Sequence, residues 1–417
     1  MAKQQFTNTL YTNDNLFILH GLDSNLVDLI YLDPPFNSKR IYSAPVGSKA
    51  AGASFKDMWT WEDVNEHYLN TLAKNYPALT NYIASIGVIH SKAMSAYLTY
   101  MAQRIIEMHR ILKDTGSLYL HCDPTASHYL KAMLDEIFGK NNFRNEIVWH
   151  YTGNSVPKYN FPRKHDTLFW YSKSLKLCFN PNSVLLPYSG LTEKRYNHTD
   201  KHGRRYKISA LRDGKQEIVY KKDGKYPDDV WEIPIIRSSE RVGYPTQKPL
   251  ALLHRIIKAS SNEGDIVLDP FCGCATTCVA AQQLGRKWIG IDIEKQAVDI
   301  LVERLSDDAG LFKDFINTQI IPQRTDIKIE EPSASVKERL YKEQNCLCNA
   351  CGTNFDIWNL EIDHIIPVAK GGGDYYENYQ LLCGACNKIK GDRPMEYLRL
   401  KIKTREETMK NKIIFGE

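Results

Sequence analysis

Much that would narrow the reading of this chain is missing from it. No apolar run approaches the length of a membrane span, so no spanning helix is expected. The opening residues, MAKQQFTNTLYTNDN, hold no basic region followed by an apolar stretch, so no signal peptide is expected and the cytosol is the expected compartment. There is no internal repeat. Charge of either sign is scarcely in excess: the net value is +5 over 417 residues, which permits a polyanionic partner without demanding one. Cysteine is sparse through most of the length and then abundant. Of ten in all, five are scattered up to Cys278 and five crowd between Cys346 and Cys386. Scattered thiols in a reducing compartment are mostly inert, whereas the late cluster has metal-site spacing.

Residues 1–322 read as an α/β domain. Short, near-continuous apolar runs such as DLIYL (28–32), GSLYLH (116–121), DIVLD (265–269) and KWIGID (287–292) suit strands of a parallel sheet buried on both faces. Helical stripes lie between them, one of them through Leu98, Met101, Ile105, Met108 and Leu112, with Gly116 as its expected stop. Residues 176–235 break the rhythm with many Lys, Arg and Tyr, as an inserted module would. A polar linker covers 323–336, and the stretch PQRTDIKIEEPSASV (322–336) holds two prolines. A compact module follows over 337–400, with a charged tail at 401–417.

Two turns stand out on the α/β part. In DPPF (33–36) a buried strand ends on an acid and leaves its sheet through two prolines, which cannot continue strand pairing. In DPFCGCATT (269–277) a strand ends at Asp269, a tight turn holds Phe271, Gly273 and Ala275, and a helix starts near Thr276. The next strand ends at Asp292. A βαβ unit with an acid about 20 positions beyond its turn can hold a nucleoside cofactor, the acid accepting ribose hydroxyls.

Together the two motifs resemble the amino-group DNA methyltransferases that use S-adenosylmethionine. With the catalytic motif first and the cofactor motif last, the chain is similar to their permuted beta class. The resemblance implies a Rossmann-like methyltransferase sheet with helices on both faces, and double-stranded DNA as partner. It also implies target recognition by residues 176–235. Asp33 and the Pro34 carbonyl would accept the two N–H bonds of a base amino group, Pro35 would stiffen the turn, and Phe36 would stack on a base removed from the duplex. The cofactor side would comprise Asp14 in NDN (13–15), Lys248 in TQKP (246–249), Asp269, Phe271, Gly273, Thr276 and Asp292. Ala275 departs from the family, which usually has glycine there. Asp at the first catalytic position favours adenine N6 over cytosine N4.

In the C-terminal module, CNAC (348–351) and CGAC (383–386) supply Cys348, Cys351, Cys383 and Cys386, two knuckles suited to a structural zinc ion, with Cys346 a fifth candidate. The span EIDHIIPVAKGGGDYYENYQLLCGACNKIKGDR (361–393) resembles the HNH nucleases, a ββα-metal fold. That resemblance makes His364 the general base. Asp363 and Asn387 become ligands of a divalent ion, expected to be magnesium, and Asn378 the brace of the His364 loop. Lys388, Lys390 and Arg393 would meet phosphates. A single such site cuts one strand, so a double-strand break needs two chains or two visits. The expected protein is a methyltransferase–endonuclease of restriction–modification type. The alternative is a methyltransferase whose zinc module grips DNA without cutting it.

Overall fold

The structure, a computed structural model, describes residues 8–402 except 37–39, 44–53, 58–71, 73–74, 153–156, 212, 237–239, 245, 295–297, 302–303, 305–314, 394, 396 and 399–400. The expected tail lies almost wholly outside the described residues. The strands are β1 Thr9–Thr12, β2 Val27–Leu32, β3 Arg40–Ser43, β4 Ser54–Asp57, β5 Leu112–Cys122, β6 Phe143–His150, β7 His165–Ser172, β8 His198–Thr199, β9 Arg205–Ala210, β10 Gln216–Tyr220, β11 Val230–Glu232, β12 Ile266–Asp269, β13 Lys287–Asp292, β14 Ile316–Thr318, β15 Leu360–His364 and β16 Tyr379–Cys383. The helices used below are α1 Asn15–Gly21, α2 Pro77–Ile89, α3 Lys92–Ile111, α4 Ser127–Leu134, α5 Gly190–Arg195, α6 Leu250–Ser260, α7 Thr276–Gln283, α8 Ala334–Glu343 and α9 Gly384–Lys390.

A nine-stranded sheet in the order β11-β6-β7-β5-β2-β12-β13-β1-β14 forms the spine. Its apolar strands are buried on both faces, as their unbroken hydrophobic runs require. One face is covered by side chains of α1, α2, α3 and α4, among them Leu19, Ile83, Met101, Ile105 and Met108. The other is covered by α6 and α7 through Leu253, Ile256, Ile257, Val279 and Ala280. The sheet is mixed rather than purely parallel: β7 runs antiparallel to both β5 and β6. Among its described residues the link between β6 and β7 carries no crossover helix, and without one neighbouring strands must reverse. Gly116 does not stop α3; that helix ends at Ile111 and Gly116 sits inside β5. A Cβ there would approach the Asp28 carbonyl to 2.9 Å, so the glycine serves close strand packing.

Residues 176–235 hold a separate antiparallel sheet, β10-β9-β8, together with α5. Part of its basic charge is already paired, Arg205 and Lys221 to Glu193 and Arg204 to Asp200. In the C-terminal module β15 and β16 pair antiparallel and α9 follows, with Leu360, Leu381 and Leu382 at the core. Among the described residues no helix is long and apolar enough to cross a membrane.

Candidate active sites

The sheet's topology gathers chemistry at one edge. Strands β2, β12, β13 and β1 are parallel, and their carboxyl ends deliver Asp33, Asp269, Asp292 and Asn13 to one cavity of about 600 Å³. In open α/β sheets ligands bind outside these strand ends. All of Asp14, Asp33, Pro34, Pro35, Phe36 and Lys248 line it, as do Asp269, Phe271, Gly273, Thr276 and Asp292.

The cofactor-loop side is rigidly organised. Gly273 and Ala275 take left-handed backbone, φ +49° and +56°, which turns the chain sharply into α7. Asp292 accepts from the Gly273 amide at 2.8 Å and the Glu294 amide at 2.9 Å. Burial outweighs these bonds and pushes its carboxyl up to about 6. Asp269 is also pushed up by burial, to about 7, with the Thr277 hydroxyl and the Phe271 amide opposing. Asp14 caps α1 through the Leu16 amide at 2.8 Å and pairs with Arg104 at 2.9 Å. Arg104 also binds Asn15 Oδ1 at 2.6 Å and lies 3.4 Å over the Tyr100 ring. Sequence reading missed Arg104, because a lone arginine within a helical stripe carries no local signal.

At the DPPF turn, Asp33 Oδ2 accepts a bond from Lys248 Nζ. Lys248, expected on the cofactor side, therefore meets the acid of the DPPF turn directly while lining the same cavity. Asp33 Oδ1 is buried and, among the described residues, accepts no hydrogen bond. Phe36 has its ring stacked on His121, centroids 6.1 Å apart and planes at 26°. His121 is fully buried and bonded on both nitrogens, to the Tyr31 hydroxyl at 2.9 Å and to Asp166 Oδ2 at 3.1 Å. Burial pulls the Asp166 carboxyl up, but His121, with Lys248 and Tyr151, holds it below the usual range. These supports come from β5 and β7, far from the motif in sequence, and only strand pairing reveals them.

The orphaned acceptor and the loop geometry agree with the sequence comparisons. Residues 27–303 match the family described as "DNA methylase", the N6/N4 amino-group type. The chain belongs to the DNA methylase family. Among curated relatives, the Type II methyltransferase M.ScaI of Streptomyces caespitosus is 32% identical over 307 residues, covering 72% of this methylase and 82% of the relative. The DNA adenine methyltransferase YhdJ of Escherichia coli (strain K12) is 28% identical over 301 residues, covering 71% of this chain and 82% of that one. The solved PvuII DNA methyltransferase (cytosine-N4-specific) shares 15% identity at a TM-score of 0.42, over 76% of this chain and 98% of that chain. Residues 348–393 match the HNH endonuclease family. The methylase is thus fused to an HNH endonuclease domain, an arrangement of restriction–modification type.

In that domain the sulfurs of Cys348, Cys351, Cys383 and Cys386 lie within 4.8 Å of one another. A Zn–S bond of about 2.3 Å gives tetrahedral edges of roughly 3.8 Å, so the quartet fits zinc. Cys346 stands outside it. His364 Nε2 lies 2.9 Å from Asp374 Oδ1, and Asp374 also accepts from the Tyr379 hydroxyl at 3.0 Å. Asp374 was missed because nothing in a glycine-rich loop marks one acid as a partner of histidine. Asn378 closes the loop between β15 and β16: its amide donates to the Ile366 and Gly373 carbonyls at 3.0 and 3.1 Å, and its oxygen accepts from the Ile366 amide at 2.8 Å. Asn387 donates to Glu361 at 2.6 Å. Lys390 does not face phosphate. It is 1% exposed, and its ammonium binds Asp363 at 3.0 Å and the His364 carbonyl at 2.8 Å. Burying a paired ammonium costs less than leaving Asp363 alone in the interior. Lys388 and Arg393 remain exposed.

Proposed function

We propose that the cavity at the sheet edge binds S-adenosylmethionine and methylates N6 of an adenine extruded from duplex DNA. The observation that carries this reading is Asp33 Oδ1, a buried acceptor without a donor at the cavity wall. Leaving such an oxygen unpaired is costly, and an amino N–H supplies what it lacks. The amino nitrogen is a poor nucleophile while its lone pair is delocalised into the ring. Asp33 and the Pro34 carbonyl each take one N–H and draw the nitrogen toward a tetrahedral shape. Phe36, backed by His121, holds the ring plane. Asp33, bonded to that amino group, takes the proton released as the N–C bond forms and the sulfur–methyl bond breaks. Gly273, Thr276 and Asp292 hold the cofactor, Asp292 accepting ribose hydroxyls; bound there, the cofactor supplies an electrophilic methyl. The Asp of the motif and the adenine specificity named for the relative YhdJ favour adenine.

The HNH domain then cleaves DNA with His364 as general base and with zinc holding the two knuckles together. Asp363 and Asn387 would offer hard oxygen donors to magnesium, Asp363 by exchanging the Lys390 ammonium that it binds, and the ion would supply charge stabilisation at the scissile phosphate. Asp374 holds the His364 ring. Residues 176–235 supply recognition for both activities, two copies of the chain make a double-strand break, and methylation blocks cutting at the same site. Radiolabelled methyl transfer to DNA followed by mass spectrometry of the nucleosides tests the assignment. N6-methyladenine in the wild type and none with Asp33→Ala is expected; N4-methylcytosine would replace the base assignment.

A further inference from the structure

The loop joining β6 to β7 was not absorbed by either site. Its ends are clasped by the Tyr151 amide and the Lys164 carbonyl at 2.9 Å. Two large aromatic rings stand on it almost wholly in solvent: Tyr159 is 97% exposed and Phe161 94%. Isolated apolar side chains at surfaces are ordinary, but two aromatics this bare within three residues form no part of a core. Pro157 and Pro162 bracket them and restrict the backbone, so the rings are presented rather than collapsed. Lys158 and Arg163 flank them and are exposed too. Apolar rings among cations complement a nucleic acid, which offers stacked base faces and phosphates together.

The loop also stands in the right place. β7 is antiparallel to β5, so its first residues lie beside the carboxyl end of β5: Cys122 pairs with Thr167 and His121 with Leu168. That is the edge on which Asp33 opens. Asp166, two residues past the loop, binds His121, and His121 is stacked on Phe36. Tyr151, at the loop's other end, donates to Asp166 at 3.2 Å. Both roots of the loop are therefore one side chain removed from the group behind Phe36.

We propose that Tyr159 and Phe161 are the wedge that enters the duplex beside the target base and fills the space the base leaves. Extruding a paired base costs a few kcal/mol in lost stacking and pairing. A ring inserted at the gap restores stacking on the neighbouring bases, and Lys158 and Arg163 hold the adjacent phosphates. The wedge acts on DNA as substrate of the methylase and does not depend on which amino group is methylated.

The test uses the full chain and a synthetic duplex carrying one site that the protein methylates. Tyr159→Ala/Phe161→Ala is expected to lower kcat/KM for methyl transfer to the matched duplex about tenfold or more. The same variant on a duplex with the target base unpaired, opposite an abasic position, is expected to come within about twofold of wild type, because the base needs no prying. Calorimetric cofactor binding and the melting temperature should be unchanged, since the rings touch no core. Tyr159→Phe/Phe161→Tyr should retain activity. Equal losses on matched and unpaired duplexes would reduce the loop to a contact surface and overturn the wedge, as would no loss on the matched duplex.

Discussion

The two enzymes in this chain are built to opposite plans. The methylase packs apolar side chains on both faces of a nine-stranded sheet, and its sites are the sheet's own strand ends. Among the described residues the HNH module has a two-stranded sheet, the helices α8 and α9 and one small core, into which Cys348, Cys383 and Cys386 are themselves packed. A domain of some 60 residues buries too little apolar surface to be stable on that account alone. The methylase holds its geometry by burial and the nuclease by sulfur. Perturbing one foundation should therefore leave the other standing.

Metal removal should divide them most sharply. Stripping zinc with a strong chelator, or Cys383→Ser, should unfold the nuclease module and end cleavage, because structural zinc contributes on the order of 10 kcal/mol or more to such folds. Methyl transfer should persist within about twofold. A calorimetric scan showing one shared transition lost on chelation would break the comparison. Next come the single groups proposed for catalysis. His364→Ala should lower nicking by about 10²–10⁴-fold and leave methylation intact. Asp33→Ala should do the reverse, measured on the same preparation. Asp374→Asn should lower nicking less, by about tenfold, because an asparagine oxygen can still orient His364 without its charge; an unchanged rate would remove Asp374 from the site.

How much of this was legible beforehand follows the same division. DPPF and DPFCGCATT announce themselves because each is a local contradiction, a buried strand stopped by residues that cannot extend it, and the structure brings both to one cavity. The Cys-x-x-Cys pairs are legible because metal geometry imposes a fixed spacing. Groups recruited by tertiary pairing are not. His121 and Asp166 meet only through the antiparallel register of β5 with β7, a pairing that the parallel expectation excluded. Lys390 reads as a phosphate contact in a run of cations. Its burial against Asp363 depends on how α9 lies over β15. Asp374 and Arg104 likewise gain meaning only from partners distant in sequence or hidden in a loop.

A smaller effect probes the methylase foundation through pH. Burial holds Asp292 at about 6 and Asp269 at about 7, each above the ordinary 3.8. A raised folded-state carboxyl contributes stability that is fully present below its unfolded value and is lost as pH rises through its folded value. The ligand-free methylase should therefore lose thermal stability between about pH 4 and pH 7. Ribose hydroxyls donated to Asp292 favour the carboxylate, so cofactor binding releases a proton. Affinity should strengthen by up to about tenfold per pH unit up to about pH 6 and level off above it. Calorimetry in buffers of differing ionisation enthalpy would report the proton. A flat affinity from pH 5 to 8 would remove Asp292 from the cofactor's contacts.

The smallest expected effect concerns strain, which each half tolerates in its own way. In the nuclease, Asn345 and Cys346 hold φ of +52° and +62° just before the first zinc knuckle. In the methylase, Ala275 holds +56° at the start of α7, and its methyl is fully buried against the sheet. Left-handed backbone costs a non-glycine residue about 1–2 kcal/mol, which Ala275→Gly would recover. The same change loses a buried methyl, worth about 0.8 kcal/mol, and frees the unfolded chain by roughly 0.5–1 kcal/mol. These terms nearly cancel. Ala275→Gly should change stability by less than about 1 kcal/mol in denaturant titration and leave cofactor affinity within about twofold. A gain well beyond that would mean the methyl contributes little to the core, and that the methylase carries strain its packing does not offset.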